Sequence, residues 1–302
     1  MGVTVVCGLF GTIRPLCYSL AARRVATGAI HDLGRYAEER GVDSAGVAVL
    51  GSPARNGRSG SRLARFDTDR WQLVTALGPY GDHLPTHGEL GNGVRLARVV
   101  LGHTRWATQG PVVPSNASPM LVGDIVGTHN GDVTAPIHRT ESTDSAWLFG
   151  QLNRAAAVSD IAAELAALRG RAALVWARQS RPGLLYLARA ALSPLATAVD
   201  RHAGLWWASN PAWLRRIDEH HGLGLSEPVL LPEGQLVVLS SGAERITTVD
   251  QLRFIPTCRP RDDWIADSTC WRGFTSADRE SLSGLRNHRV ESVDGFAPAL
   301  AG

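Results

Sequence analysis

The sequence predicts an α+β chain, on three observations. Short apolar runs rich in β-branched residues recur at 3–13, 45–50, 95–105, 124–133, 171–178, 183–189 and 204–209, and QLVVL and RITTV close the series. Stretches of helical composition lie at 18–40 and across 142–170. Strands and helices fall in blocks rather than alternating, which favours sheets packed with segregated helices over a βαβ repeat.

Each element has its reason. VTVVCGLFGTI (3–13) is a β-branched strand broken only by glycine, and YSLAARRVATGAIHDLGRYAEER (18–40) is mostly helix, weakened by Gly28. GVDSAGVAVL turns into a strand at 45–50, and SPARNGRSGSRLARFDTD (52–69), polar and rich in Gly, Ser and Arg, is expected as a surface loop or short hairpin. RLARVVLGHTR (95–105) and DIVGTHNGDV (124–133) are strands running into turns that look like site loops. STDSAWLFGQLNRAAA (142–157) opens on Ser, Thr and Asp, so a helix N-cap is available. In SDIAAELAALRG (159–170), Ser159 is expected to cap a helix and Gly170 to stop it. NPAWLRRI is a small helix with Pro211 in its first turn. Past Ile255 the chain turns polar, with Pro, Asp and Arg clusters, and reads as a tail or appended subdomain ordered in part by Trp264, Trp271 and Phe274.

Composition narrows the function classes. The 302 residues suffice for a real core, in one large domain or two small ones. A net charge of +3, and basic spots without interleaved aromatics, argue against a nucleic-acid partner. Cysteines at 7, 17, 258 and 270 form no CxxC pair and show no metal-ligand spacing, so no metal is assigned and a reduced, cytoplasmic protein is expected. The N-terminal stretch lacks the basic region of a signal peptide, and no run reaches the roughly 18 apolar residues of a membrane span.

Several motifs carry chemistry together. Cys7 supplies a thiol within the expected strand at 3–13, just before Gly8 and Gly11. GHTRWATQG (102–110) offers Arg105, whose forked guanidinium suits a carboxylate. THNGD (128–132) sets an amide side chain beside a glycine N–H, two donors that can face one point as an oxyanion hole requires. Asp144, near a helix start, can grip an ammonium. Singly, each has a plainer role: a core cysteine, an Asn-Gly turn, a helix cap, a surface ion pair. Jointly they describe a site for an amino acid whose side chain is attacked. His103 and His129 are expected as structural hydrogen-bonding residues rather than metal ligands.

The chain resembles the class II glutamine amidotransferases, most closely the glutaminase half of glucosamine-6-phosphate synthase, within the N-terminal-nucleophile hydrolases. Five stretches match in order: Cys7-Gly8-Leu9-Phe10-Gly11, Arg40-Gly41-Val42-Asp43-Ser44-Ala45-Gly46, Gly102-His103-Thr104-Arg105-Trp106-Ala107-Thr108, His129-Asn130-Gly131 and Ser142-Thr143-Asp144. Weaker likeness runs on through LYLARAALSPL, WWASNPAWL and LLPEGQLVVL, so it covers about residues 7–250. The resemblance implies a four-layer αββα sandwich and the conversion of L-glutamine to L-glutamate and ammonia through a cysteinyl thioester. It implies that Cys7 attacks the side-chain amide with its own α-amine as base. It further implies that Asn130 and Gly131 hold the oxyanion, that Arg105 and Asp144 bind the glutamine carboxylate and ammonium, and that Trp106 and Thr108 shape the pocket and its closing loop. No cofactor is implied. The alternatives are an N-terminal-nucleophile hydrolase of another small amide, or an inactive scaffold or regulatory subunit.

The pattern departs from the family in places. Six residues precede Cys7, where most members have a single methionine. A short propeptide, Met1–Val6, is therefore expected, unless the start is misassigned or this form is an inactive precursor. Gln109 stands where the sugar-synthase relatives have His, and Asn116-Ala117-Ser118-Pro119 replaces their Asn-x-His-Pro. These changes bear on the acceptor side more than on the attacking set. The expected organisation is a propeptide at 1–6, a glutaminase domain at 7–250 and an extension at 251–302. A separate acceptor or synthetase enzyme is expected to receive the ammonia.

Overall fold

The structure of the protein, a computed structural model, describes residues 7–51, 70–135, 142–257 and 274–278. The expected propeptide, the loop at 52–69, and Cys258, Trp264, Cys270 and Trp271 lie outside the described residues. The elements in chain order are β1 Gly8–Ile13, α1 Leu20–Ala37, β2 Ser44–Leu50, β3 Trp71–Leu77, α2 Tyr80–His83, α3 Gly88–Leu96, β4 Val99–Arg105, a 3₁₀ turn at Pro114–Asn116, β5 Met120–Val122 and β6 Ile125–Val133. Then come α4 Asp144–Arg154, α5 Val158–Ala166, β7 Gly170–Arg178, β8 Arg181–Ala191, β9 Ala196–Val199, β10 Leu205–Ala208, α6 Pro211–His221, β11 Val229–Leu230, β12 Gln235–Ser241 and β13 Ile246–Arg253.

The strands form two antiparallel sheets. One runs β11-β9-β10-β1-β4-β2-β3 and the other β13-β12-β8-β7-β6-β5. Between them lies an apolar layer that includes Leu9, Ile13, Leu101, Val126, Val175, Leu187 and Val237. Outside the first sheet, Phe10, Val47, Val49 and Val100 pack on α1, α3 and α6 through Ile30, Leu33, Leu90, Val94 and Trp213. Outside the second, Leu174, Trp176 and Tyr186 pack on α4 and α5 through Leu148, Phe149, Ile161 and Leu165. The result is an αββα sandwich. The central strands are apolar almost without alternation because both faces are covered: Leu9 and Leu101 point inward between the sheets, Phe10 and Val100 outward to the helices.

Several element expectations are corrected. α1 starts at Leu20, after Ser19 Oγ accepts the Ala22 N–H, and ends at Ala37. Gly28 does not break it; a Cβ there would meet the His221 ring of α6 at 2.9 Å, so the glycine lets the two helices approach. The strand expected from 95 begins at Val99, because 95 and 96 close α3. β3, β5, β9, β11, α2 and α3 are additions. α3 holds three glycines in nine residues, a poor intrinsic helix, and the buried Leu90 and Val94 on one face tie it to the core. Ser159 is not a cap: α5 begins at Val158, where Asp160 Oδ2 accepts the Ala157 N–H at 3.2 Å. Gly170 is the first residue of β7 rather than a helix stop. In the expected tail, residues up to Arg253 belong to β13, while Phe274 enters the core beside α6 and Asp278 pairs with Arg215 at 3.0 Å.

Candidate active site

The site sits where β1, β4 and β6 approach one another between the sheets. Pairing of β1 with β4 sets Gly8 opposite Thr104 and Leu9 opposite His103, which brings Cys7 to the Arg105 end of β4. Pairing of β2 with β4 sets Ser44 opposite Arg105. His103 bridges to the other sheet, its Nε2 donating to the His129 carbonyl at 2.9 Å. The N-terminus of α4 closes the far side: Thr143 caps it, with Oγ1 accepting the Ala146 N–H, and Asp144 is its first residue.

Cys7, Arg105, Trp106, Thr108, Gly131 and Asp144 all line one cavity, together with His103, Gln109, Asn116, Ser118, Met120, Thr143 and Ser145. Six of the seven site residues expected from sequence therefore converge. The seventh, Asn130, is fully buried and is not part of the lining; its neighbour Gly131 is. The cavity measures about 20 Å³, room for about one water and too little for an amino acid.

The reason for that closure is Arg105. Its Nη2 donates to the carbonyls of Gln109 (2.6 Å) and Gly110 (3.2 Å), and its Nη1 to that of Pro111 (3.1 Å). The segment after β4 thus folds back over the guanidinium. Asp43 holds the same segment from the other side, its Oδ2 accepting the Ala107 N–H at 2.8 Å. Trp106 and Thr108 are themselves exposed at the rim.

Cys7 is half-buried, with its thiol donating to the Trp106 carbonyl at 3.6 Å. Burial pushes the thiol up to about 12, with the Asp132 and Asp144 charges adding to it; the hydrogen bond to Trp106 and the charge of Arg105 offset only part. Asp144 accepts the N–H of Val133 at Oδ2 (3.0 Å) and of Ser145 at Oδ1 (2.8 Å). Gly131 has φ +151, and a Cβ there would lie 1.9 Å from the Arg171 carbonyl oxygen, so only glycine fits. Burial pushes His103 down to about 3 and lowers His129 too, leaving both imidazoles neutral. Among the described residues no group of His, Cys, Asp and Glu is placed to hold a metal ion, and no helix is long and apolar enough to cross a membrane.

No protein-family model matches the chain. Glutamine–fructose-6-phosphate aminotransferase (isomerizing) from Mycobacterium leprae is 26% identical over 272 residues, 81% of this chain and 38% of that protein. The enzyme of the same name from Vibrio cholerae is 33% identical over 149 residues, 48% of this chain and 20% of that protein. Over most of its length the chain is thus similar to class II glutamine amidotransferases. A solved glutamine PRPP amidotransferase from B. subtilis has the same fold, with a TM-score of 0.55 at 17% identity, covering 82% of this chain and 49% of that one. The likeness is one of fold, the αββα layering described above. The chain spans well under half the length of the curated relatives it matches.

The cavity also engages residues to which the sequence motifs assign no role. Asp43 lay inside a matched motif, and its signal was its place beside the strand that carries Arg105. Asn116 donates from Nδ2 to the Pro111 carbonyl at 3.1 Å, and Ser118 lines the cavity, so the replaced Asn-x-His-Pro stretch is wall rather than periphery. Ser145 Oγ lies 2.9 Å from His129 Nδ1. Ser209 reaches the site through Leu9 and Asn130. No local pattern marks either serine.

Proposed function

We propose that the chain is a glutaminase that releases ammonia from L-glutamine. The observation that carries the reading is the convergence of Cys7, Arg105, Asp144 and Gly131 on one small cavity. Arg105 and Asp144 are opposite charges able to grip the two ends of a free amino acid, and Cys7 lines the same cavity. Glutamine binding displaces the Gln109–Pro111 carbonyls from Arg105, and the substrate carboxylate takes their place as a stronger, charge-assisted acceptor.

The chemistry follows from the groups present. With its nitrogen free, Cys7 carries an α-amine whose ordinary pKa is near 7.7–8.0. That amine takes the thiol proton as sulfur forms a bond to the side-chain carbonyl carbon of glutamine. The carbonyl oxygen becomes an oxyanion facing Gly131 N–H and the Asn130 amide. Collapse breaks the C–N bond, the ammonium gives its proton to the leaving nitrogen, and ammonia departs. Water then attacks the thioester, releasing glutamate and restoring the thiol. A Cys7 still joined to a preceding residue has no such amine, and its thiol, pushed up to about 12, stays protonated. Removal of Met1–Val6 is therefore part of the proposal. We infer that the ammonia goes to an acceptor on a separate enzyme, with the protein working in the cytoplasm.

The test is the mature N-terminus together with turnover. Intact mass should show Cys7 first in active protein, glutamine should yield glutamate, and Cys7→Ala should abolish covalent capture of a glutamine-like electrophile. Active protein that retains Met1–Val6, or Cys7-first protein that releases no glutamate, overturns the reading. Assay of other small amides beside glutamine distinguishes a hydrolase of different specificity, and amination of fructose 6-phosphate by the chain alone would place the acceptor site on this protein.

A further inference from the structure

Ser209 joins three parts of the site. It lies between β10 and Asn210, the N-cap of α6. Its N–H donates to the Leu9 carbonyl at 2.9 Å, and its Oγ accepts the Leu9 N–H at 3.0 Å. Its carbonyl accepts from Arg40 Nη1 at 3.3 Å. The same Oγ accepts from Asn130 Nδ2 at 3.1 Å. Ser209 and Asn130 are both fully buried. One hydroxyl therefore links the strand of the nucleophile, two residues past Cys7, to the amide of Asn130.

This arrangement leaves an imbalance. Among the described residues, Ser209 Oγ takes two donors while its own hydrogen meets no acceptor, and the buried Asn130 Oδ1 meets no donor. A buried acceptor without a donor costs free energy. The two ends of a primary amide have nearly the same shape, so hydrogen bonding selects between its orientations. Turned end for end, Asn130 accepts the Ser209 hydroxyl proton at Oδ1. Ser209 then accepts from Leu9 and donates to Asn130, and Nδ2 moves to the unpaired side with its hydrogens available.

We propose that Ser209 is the positioning residue of the oxyanion hole: its hydroxyl, anchored by the Leu9 N–H, fixes the orientation of the Asn130 amide so that Nδ2 faces the oxygen that becomes negative. This rests on the glutaminase reading above. Ser209 does not line the cavity; it acts through Asn130, and its bond to Leu9 ties the amide's position to that of Cys7.

The test uses the active protein, Cys7 first, as wild type, Ser209→Ala, Ser209→Cys, Asn130→Ala and the Ser209→Ala/Asn130→Ala pair. Turnover is read together with binding of glutamate and of its γ-aldehyde, which adds the thiol and places an oxygen where the oxyanion forms. Ser209→Ala is expected to lower kcat about 10–100-fold with KM within about threefold, and to weaken the aldehyde but not glutamate. On the Asn130→Ala background the same change is expected to cost less than about threefold more. Ser209→Cys keeps the packing with a weak donor, is expected to lose about tenfold, and decides the matter where Ser209→Ala does not fold. Wild-type kcat in Ser209→Cys, additive losses in the pair, or glutamate binding falling with aldehyde binding overturns the proposal. Wild-type protein silent toward glutamine overturns the glutaminase reading and this role with it; active wild type with unaffected Ser209 variants overturns this role alone.

Discussion

Arg105 Nη2 donates to the carbonyl oxygen of Gln109 at 2.6 Å, so the guanidinium expected to hold a substrate carboxylate holds its own loop instead. The same group that binds substrate would then also control access. Arg105→Lys replaces the fork with a single point charge that cannot span Gln109, Gly110 and Pro111. The expected outcome is a KM for glutamine raised about 10–100-fold, an effect of roughly 1.4–3 kcal/mol, with kcat less affected. Hydrogen exchange of the 107–113 amides should quicken in the same variant. Unchanged KM would show that the carboxylate is bound elsewhere.

Cys7 gives a pH signature. With its nitrogen in a peptide bond, its half-buried thiol is pushed up to about 12, so about one in ten thousand is ionised at pH 8. Iodoacetamide should label the uncut chain at Cys7 slowly near neutral pH, with a rate still climbing above pH 10. Protein with Cys7 first should be labelled faster, with its rate levelling above the pKa of the amine. Equal rates near pH 7.5 would remove the α-amine from its role as base.

Gly131→Ala tests the backbone of the proposed oxyanion hole. At φ +151 the added Cβ would collide with the Arg171 carbonyl, whose strand β7 pairs with β6 at this point. The expected cost is about 3 kcal/mol of stability or more, read as a lower urea midpoint, together with loss of glutamate release. A folded variant of native stability would mean that the strand end adjusts freely.

His103 and His129 set an acid limit on stability. Folded, both are held below the ordinary histidine value, His103 to about 3; unfolded, each takes up a proton as pH falls through about 6.5. Below that pH the unfolded chain binds more protons, so their contribution to stability is complete above about 6.5 and is lost as pH drops toward the folded values. Urea midpoints should fall between pH 6.5 and 4.5. His103→Gln, which can still donate to the His129 carbonyl, should flatten that slope.

The sequence alone determined which chemical groups the site would contain. Cysteine, arginine, Asn-Gly and aspartate stand in short motifs, and a motif needs only its neighbours along the chain to be legible. Strand and helix type were legible for the same reason wherever one periodicity ran unbroken, as in β7 and α4. α3 was hidden by its glycines, and β3 because it follows the polar 52–69 stretch and has mixed burial. Only the tertiary structure decided what those groups touch. Arg105 meets the carbonyls of its own loop, Asn130 meets a serine 79 residues away, and Leu9 meets the same serine from 200 residues away. The physical reason is that a buried polar group must find a partner at about 3 Å wherever the fold supplies one. Periodicity reports which face a side chain is on, whereas the atom waiting across the sandwich is fixed by the packing of two sheets.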